Sequence, residues 1–239
     1  MVNIQKAAVI GCGFVGSTIA YTLMQKGLFS EMVLLDANKA KAEGEAMDIS
    51  HGLPFTHAMD IYAGEYEDIA DASVVIITAG ANQKPGETRL DLVQKNAAIM
   101  RSIIKEIKRV NCEGILLIVS NPVDILTEVA LRESGFPKER VIGSGTVLDT
   151  ARLKYIISEK LDVDSRNVHA FIVGEHGDSE LAAWSCANIY GIKLQDFAKM
   201  RGYEHFAQDM EEVYKGVRDS AYEIIERKGA TYYGIGMAA

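Results

Sequence analysis

The segment Gly174-Glu-His-Gly-Asp178 presents one histidine, His176, directly after the apolar run 168–173. The nearby glycines let the main chain turn sharply and leave room for a ligand. An imidazole on such a turn is suited to give or take a proton near neutral pH. Exposed loop histidines without any function are about as common as functional ones, so the interpretation of His176 depends on the residues around it.

Two charged residues upstream have the spacing needed to surround that imidazole. Asp149 and Arg152 are three residues apart in the predicted helix 147–157, hence on one side of it. They form either an ion pair within the helix, which contributes little at a surface, or a functional arrangement. In the second case Asp149 faces the histidine and Arg152 faces a substrate carboxylate.

A second arginine, Arg89, lies near the end of a long polar loop, 79–90, with glycines at 80 and 86. A loop of that length in a compact domain is usually functional or disordered, and an active-site lid is the functional form. Arg89 would then be carried over a substrate; the alternative is a solvated arginine at the start of helix 92–111. Asn121 either hydrogen-bonds at a ligand crevice or simply forms a turn.

The elements that must position these side chains begin with a glycine motif. An apolar strand, 6–10, meets Gly11-Cys-Gly-Phe-Val-Gly16, and helix 17–26 follows. In this motif Gly11 permits a tight turn, Gly13 lets a pyrophosphate approach, Gly16 allows close packing, and the helix N-terminus binds the phosphates. The pattern predicts a dinucleotide site.

An acid ends the next predicted strand, 32–36. Asp36 follows Gly16 by twenty residues, where this fingerprint places the group that binds the adenine ribose hydroxyls. A carboxylate there repels a 2'-phosphate, so the cofactor is predicted to be NAD rather than NADP. Alternatively, Asp36 caps the helix 38–49.

Composition limits the remaining function classes. A net charge of -8 and a pI near 5.2 argue against nucleic acid or an anionic membrane as a partner. Cys12, Cys112 and Cys186 lack metal spacing, so we expect no disulfide, no metal site and a reduced, cytoplasmic compartment. No run is long enough to span a bilayer.

Apolar strands alternate with helices through the first part of the chain, which predicts a parallel sheet with a ligand crevice at the carboxyl ends of its strands. The fold class is therefore α/β: a doubly wound Rossmann sheet, residues 1–145, followed by an α+β substrate domain, residues 146–239, with a long amphipathic helix at 204–228. The further predicted strands are 60–63, 73–78, 114–120, 140–143, 167–173 and 180–185.

Taken together, these motifs resemble the NAD-dependent L-lactate dehydrogenases of the lactate/malate dehydrogenase family. The resemblance covers essentially the whole chain and includes the segments Ser120-Asn-Pro122, Gly145-Thr-Val-Leu-Asp-Thr-Ala-Arg152 and Lys228-Gly-Ala-Thr-Tyr-Tyr-Gly234. It implies reversible hydride transfer between NADH and pyruvate, giving L-lactate and NAD+, at the end of fermentative glycolysis.

The resemblance also implies roles for individual residues. His176 exchanges the proton, Asp149 orients it, Arg152 binds the substrate carboxylate, and Arg89 polarises the carbonyl as the lid closes. Asn121 bonds the substrate oxygen or holds cofactor and histidine in place, and Thr231 lines the pocket. The implied cofactor contacts are Gly11, Gly13, Phe14, Val15, Gly16, Asp36, Thr78, Ala79, Gly80, Ser120 and Asn121.

Substrate choice is expected to depend on Gln83. The lid position of Gln83 resembles one that is an arginine in malate dehydrogenases, where the arginine pairs with the second carboxylate of oxaloacetate. A neutral amide would leave that carboxylate unpaired in a closed pocket, so pyruvate is preferred, although the neighbouring Lys84 could reach inward. The alternatives are a malate or other 2-hydroxy-acid dehydrogenase, and a non-catalytic NAD-binding protein.

Two further expectations come from the resemblance alone. Lys154 and His169 lie at positions that resemble the fructose 1,6-bisphosphate site of allosteric bacterial members, although lysine replaces the more usual arginine. A homodimer pairing into a homotetramer is expected. Because family members continue well past Ala239, we expect the chain to be a truncated form of a longer enzyme that lacks the C-terminal part of the substrate domain.

Overall fold

The computed structural model describes residues 1–81, 86 and 88–239, with Arg89 described by its main chain only. The chain divides into two compact units. The first comprises residues 1–144 together with 232–237 and 239, and the second comprises residues 145–231 with 238. The predicted substrate region 146–239 therefore contributes a short C-terminal segment to the first unit.

The first unit contains alternating strands and helices, as the apolar runs predict. Its elements are β1 (Asn3–Ile10), α1 (Phe14–Lys26), β2 (Glu31–Leu35), α2 (Lys39–Ser50), β3 (Asp60–Ala63), β4 (Ala72–Ile77), α3 (Arg89–Arg109), β5 (Ile115–Ile118), α4 (Val123–Ser134) and β6 (Val141–Gly143).

All six strands pair in parallel, in the order β3-β2-β1-β4-β5-β6. The chain starts in the middle of the sheet, builds outward to β3, and crosses back to β4 beside β1. The carboxyl ends of β1 and β4 therefore lie side by side where the winding direction reverses, the usual place for a ligand crevice. The predicted Rossmann fold is confirmed.

Both faces of the sheet are covered, which explains why the strands read as continuous apolar runs. Ala8 and Ile10 of β1 face a core that includes Met100 and Ile104 of α3. Val9, between them, faces a second core built with Ile19 of α1 and helix α2. The sheet edge that carries the glycine motif is thus held rigidly from both sides.

The second unit begins with a helix and continues with short strands. Its elements are α5 (Val147–Leu161), β7 (Val168–His169), β8 (Ile172–Val173), β9 (Leu181–Ala182), β10 (Asn188–Ile189), β11 (Ile192–Lys193), α6 (Leu194–Met200) and α7 (Phe206–Lys228); α8 (Tyr233–Ala238) follows.

The prediction of one continuous strand over 167–173 was wrong. Val168, Ala170 and Ile172 are all buried, so the alternation of a strand persists through the segment. Its partner changes, however: β7 pairs with β10, whereas β8 pairs with β9. The predicted strand 180–185 was likewise too long. Only β9 is a strand, because β8 offers just two residues for pairing, and a turn follows.

The long helix α7 is amphipathic as predicted, but its apolar side is covered over only part of its length. Met210, Val213 and Val217 are buried against α5 and the strands of the second unit. Ile224 and Ile225, nearer its C-terminal end, are exposed. Across the described residues, we find no helix with the length and apolarity to cross a membrane.

Two helical glycines provide a matched test of how tightly the first unit is built. A Cβ at Gly16 of α1 would lie 1.9 Å from the carbonyl oxygen of Gly11, whereas one at Gly44 of α2 meets nothing within 4 Å. Gly16→Ala should lower the free energy of unfolding by about 1–3 kcal/mol, the usual cost of overpacking. Gly44→Ala should raise it by about 0.5–1 kcal/mol through helix propensity.

Denaturant midpoints of the two variants against the unsubstituted chain measure both effects. Equal midpoints for Gly16→Ala and Gly44→Ala would contradict the close contact between α1 and the end of β1.

Candidate active site

The loop after β1 is held by main-chain contacts that only glycine permits. Gly11 has a φ of 102°, and a Cβ there would lie 2.6 Å from the main-chain nitrogen of Ala79, which follows β4. The hydroxyl of Thr78 donates to the carbonyl of Gly11 at 2.6 Å, and that of Ser120 donates to the carbonyl of Ala79 at 2.7 Å. These bonds join the carboxyl ends of β1, β4 and β5.

The N-terminus of α1 opens from this loop toward free space. Gly13 is the N-cap residue, has no neighbour within 4 Å of an added Cβ, and provides no side-chain cap. Phe14, Val15 and Gly16 form the first turn, which contains no acidic residue. First-turn N–H groups have no partner within a helix, and they attract an anion such as pyrophosphate.

Asp36 lies at the end of β2, beside that loop. One carboxylate oxygen accepts a hydrogen bond from the main-chain N–H of Cys12 at 2.7 Å, and the other accepts one from Asn38 at 2.9 Å. The alternative role as a helix cap is wrong, because α2 is capped by the side chain of Asn38. Both oxygens keep lone pairs with which to accept ribose hydroxyls. A dinucleotide therefore fits the glycine loop, the helix end and the acid together.

One residue of this region was missed by reasoning from the sequence. Asn96 of α3 is buried; its side-chain oxygen accepts from the N–H of Ala81 at 2.8 Å, and its amide donates to the carbonyl of Asn121 at 2.9 Å. It thereby ties the start of the 79–90 loop to the turn after β5. The sequence carried one signal for this residue, which is that Asn96 lies four residues before Met100, a buried residue of α3.

Two predicted residues cannot be placed. Gln83 lies outside the described residues. Arg89 is the first residue of α3, one position after the N-cap Thr88, but its side chain lies outside the described part of the chain. Their predicted roles stay predictions.

In the second unit, the structure brings His176 and Asp149 into direct contact. The imidazole Nδ1 lies 2.6 Å from one carboxylate oxygen of Asp149, in the first turn of α5. The second oxygen accepts a hydrogen bond from the guanidinium of Arg152 at 2.8 Å. The predicted ion pair within the helix is therefore present, and the same carboxylate also faces the histidine, whereas the predicted role of Arg152 toward a substrate carboxylate stays a prediction.

Hydrogen bonds to the main chain of β8 hold His176 and Asp149 in contact. The hydroxyl of Thr146 donates to the carbonyl of Ile172 at 2.8 Å, and the N–H of Ile172 donates to the hydroxyl of Thr150 at 2.9 Å. They attach the start of α5 to the strand that leads to the histidine. Gly174 and Gly177, with φ of 97° and 118°, then turn the chain so that His176 points back to Asp149.

The electrostatics follow from the burial of Asp149, which is 2% exposed. Burial opposes its charge, but the hydrogen bond and charge of His176, together with the charge of Arg152, hold the pKa of Asp149 below its usual value. The hydrogen bond to Asp149 raises the pKa of His176, against the effect of burial. An ionised carboxylate requires Nδ1 to donate, so Nε2 is the ring atom suited to proton exchange.

A second buried acid, Glu180, was also missed as a site residue. It is 3% exposed, and one oxygen of each carboxyl group and one ring nitrogen of His176 lie within 4.8 Å of one another. Burial and the charge of Asp149 raise the pKa of Glu180 to about 7. The signal available was an acid at the head of an apolar segment, which local sequence leaves indistinguishable from a surface residue.

The remaining predicted residues are less closely associated. Thr231 lies between α7 and α8. Lys154 is half-buried on α5 and His169 is exposed on β7. Within the described residues, their side chains make no hydrogen bond or ion pair with each other.

The two units correspond to two family models. Residues 5–143 match the NAD-binding domain of the lactate/malate dehydrogenases, and residues 146–239 match the alpha/beta C-terminal domain of the same family. The NAD-binding match confirms the predicted cofactor, which the glycine loop and Asp36 fit.

Individual relatives agree with this assignment. An L-lactate dehydrogenase of Acetivibrio thermocellus is 56% identical over 98% of the chain and 74% of its own length, and one of Priestia megaterium is 56% identical over 98% and 73%. A solved lactate dehydrogenase from a Medee basin deep-sea metagenome library superposes with a TM-score of 0.96, at 54% identity over 100% of this chain and 76% of that one.

The minor L-lactate dehydrogenase of Enterococcus mundtii gives a TM-score of 0.94 at 48% identity, covering 98% of this chain and 74% of that one. The sheet order, the glycine loop with Asp36, and the two matched domains lead to one conclusion. The chain belongs to the lactate/malate dehydrogenase family.

Proposed function

We propose that the chain is an NAD-dependent L-lactate dehydrogenase, which interconverts pyruvate and L-lactate. The observation that carries this proposal is the buried contact between Nδ1 of His176 and Asp149, with Arg152 on the same carboxylate. This arrangement provides a proton donor and an anion-binding group side by side. Relatives that are 53–56% identical and are named L-lactate dehydrogenases support the choice of reaction.

The proton transfer falls to His176. Asp149 fixes the ring through Nδ1 and stabilises its charged form, so protonated Nε2 gives its proton to the ketone oxygen of pyruvate. The reduced nicotinamide, when bound, supplies the hydride to the ketone carbon. In lactate oxidation the neutral Nε2 takes the hydroxyl proton instead.

Substrate binding falls to Arg152. One terminal nitrogen of its guanidinium is engaged with Asp149, which leaves the other N–H groups to hold the substrate carboxylate in a forked geometry that lysine cannot provide. We assign carbonyl polarisation to Arg89, and we assign Asn121 and Thr231 to the pocket. Gln83 selects against a second carboxylate, so pyruvate is preferred to oxaloacetate. Malate activity is the second candidate, favoured only by Lys84 next to Gln83.

The wider setting is part of the same proposal. We place the domain boundary at 145/146, the protein in the cytoplasm, and its reaction at the fermentative end of glycolysis. The assembly is a homodimer or homotetramer. Fructose 1,6-bisphosphate is the proposed activator, with Lys154 and His169 among its ligands.

NADH oxidation with pyruvate, compared with oxaloacetate, tests the reaction and the substrate preference. His176→Asn should lower pyruvate turnover by about 10²- to 10⁴-fold, the usual contribution of a general acid, while NADH binding is retained. His51→Asn, at an exposed histidine after α2, is the matched control and should keep full activity. Unchanged turnover in His176→Asn, or faster turnover of oxaloacetate by the parent chain, would contradict the proposal.

The cofactor preference can be tested at Asp36. Asp36→Asn keeps the side-chain shape but removes the charge that repels a 2'-phosphate, so the preference for NADH over NADPH in KM should fall by at least about tenfold, or roughly 1.4 kcal/mol. Asp48→Asn, on the exposed side of α2, should leave the ratio unchanged. An unaltered ratio in Asp36→Asn would exclude the ribose assignment.

The effector assignment predicts that fructose 1,6-bisphosphate lowers KM for pyruvate by at least about fivefold, within the usual range of allosteric coupling. Removing both proposed ligands in Lys154→Gln/His169→Asn should abolish that effect and leave the activity without effector unchanged. Lys199→Gln, at an exposed lysine of α6, should respond as the parent does. Activation that persists in the double variant would place the effector elsewhere.

A further inference from the structure

Glu180 is the one member of the buried cluster for which the proposed reaction has no role. It is almost completely buried beside Asp149 and His176, with oxygen and nitrogen atoms of the three side chains within 4.8 Å of one another. Burying a carboxyl group costs free energy unless hydrogen bonds or neighbouring charges satisfy it. Its position next to the proton-exchanging histidine suggests what it does.

The two carboxyl groups of the cluster differ in their ion pairs. In the described part of the chain, the ion pairs from Arg152 and His176 both go to Asp149. A carboxyl oxygen of Asp149 lies within 4.8 Å of one of Glu180, and both side chains are almost fully buried. Two ionised carboxylates this close repel each other and have no hydrogen to share, so a proton on one of them is favoured. Asp149 has the cations, and Glu180 is therefore the protonated partner.

The surroundings of Glu180 keep it in place in either protonation state. Its main-chain N–H donates to the carbonyl of Gly177 at 3.1 Å, and its carbonyl accepts from the hydroxyl of Tyr214 on α7. The guanidinium of Arg218 lies 4.9 Å from the centre of the Tyr214 ring. The titratable groups beside the acid are thus Asp149 of α5 and His176 of the turn. Arg152 is linked to the cluster through Asp149, and Arg218 of α7 lies over the Tyr214 ring.

We propose that Glu180 is a positioning residue that carries a proton near neutral pH, donates it in a hydrogen bond to Asp149, and so sets the proton affinity of His176. This role rests on the proposed function, because it matters to catalysis only if His176 exchanges the substrate proton. With Glu180 neutral, Asp149 keeps one oxygen for the imidazole and one for Arg152. When Glu180 loses its proton, a second negative charge appears beside the imidazole and stabilises the charged ring.

The direction of the two pKa changes agrees with this coupling. Burial and the charge of Asp149 raise the pKa of Glu180 to about 7, and the charge of Glu180 adds to that of Asp149 in raising the pKa of His176. The charge state of each group therefore depends on that of the other. Their titration belongs to the pair rather than to either residue.

NMR titration of the chain labelled with ¹³C in its five histidines tests the coupling without any assay of turnover. The signal of His176 is identified by its absence from His176→Asn. In the unsubstituted chain its titration curve should be broader than that of a single site. In Glu180→Gln, which keeps a neutral donor, the curve should become a single step with a midpoint about half a pH unit lower or more.

Glu159→Gln, at an exposed position of α5, is the matched control and should leave the curve unchanged. A single-site curve for His176 in the unsubstituted chain would overturn the proposal, even if Glu180→Gln failed to fold. An unchanged midpoint in folded Glu180→Gln would also overturn it.

The pH profile of kcat/KM for pyruvate separates this inference from the proposed function. In Glu180→Gln the alkaline limb of pyruvate reduction should move to lower pH by the same amount as the NMR midpoint, with near-parent activity at pH 6. If the NMR midpoint moves but the parent chain shows no pyruvate turnover, the proton sharing stands and the proposed reaction fails. If turnover is present and its limb does not move, Glu180 has no part in the reaction.

Discussion

The hydrogen bond between Asp149 and His176 is the interaction on which the second unit depends. It joins the first turn of α5 to a glycine-bounded turn 27 residues later along the chain. A buried carboxylate is stable only if cations and donors satisfy it, and here the imidazole and Arg152 take one oxygen each. Thr146 and Thr150 hold α5 against β8, so that the two groups meet without further adjustment. The same hydrogen bonds therefore stabilise the second unit and position the proposed catalytic groups.

The first unit must admit a large anionic cofactor, and the lack of side chains at its glycines makes room for one. Gly16 lets α1 pack against the end of β1, and Gly11 lets that end approach Ala79 after β4, at distances that a Cβ would prevent. Thr78 and Ser120 then use their hydroxyl groups to bind neighbouring carbonyls. The α1 N–H groups, which no side chain caps, are what remains for the phosphates. In the proposed function, Asp36 adds the charge that distinguishes NAD from NADP.

These differences explain what could be predicted from the sequence. Glycine spacing and continuous apolar runs are local signals, so the parallel sheet and the cofactor motif could be predicted directly. The site in the second unit depends on which segments meet in space. Spacing alone left Asp149 with either Arg152 or a histidine as its partner, and the structure has both. Glu180 and Asn96 could not be identified because burial, rather than residue type, gives them their roles, and the strand over 167–173 was broken because its pairing partner changes.

The charge balance of the cluster links proton uptake to substrate binding. With Glu180 neutral, the negative charge of Asp149 and the positive charge of Arg152 cancel, and protonation of His176 leaves the cluster with a single positive charge. Pyruvate carries a single negative charge, so it neutralises the cluster only when the histidine is ready to donate. If Glu180 ionises, the protonated cluster is already neutral and the attraction for the anion is lost. A protonated Glu180 would therefore make the catalytically competent state of His176 the state that binds the substrate most tightly.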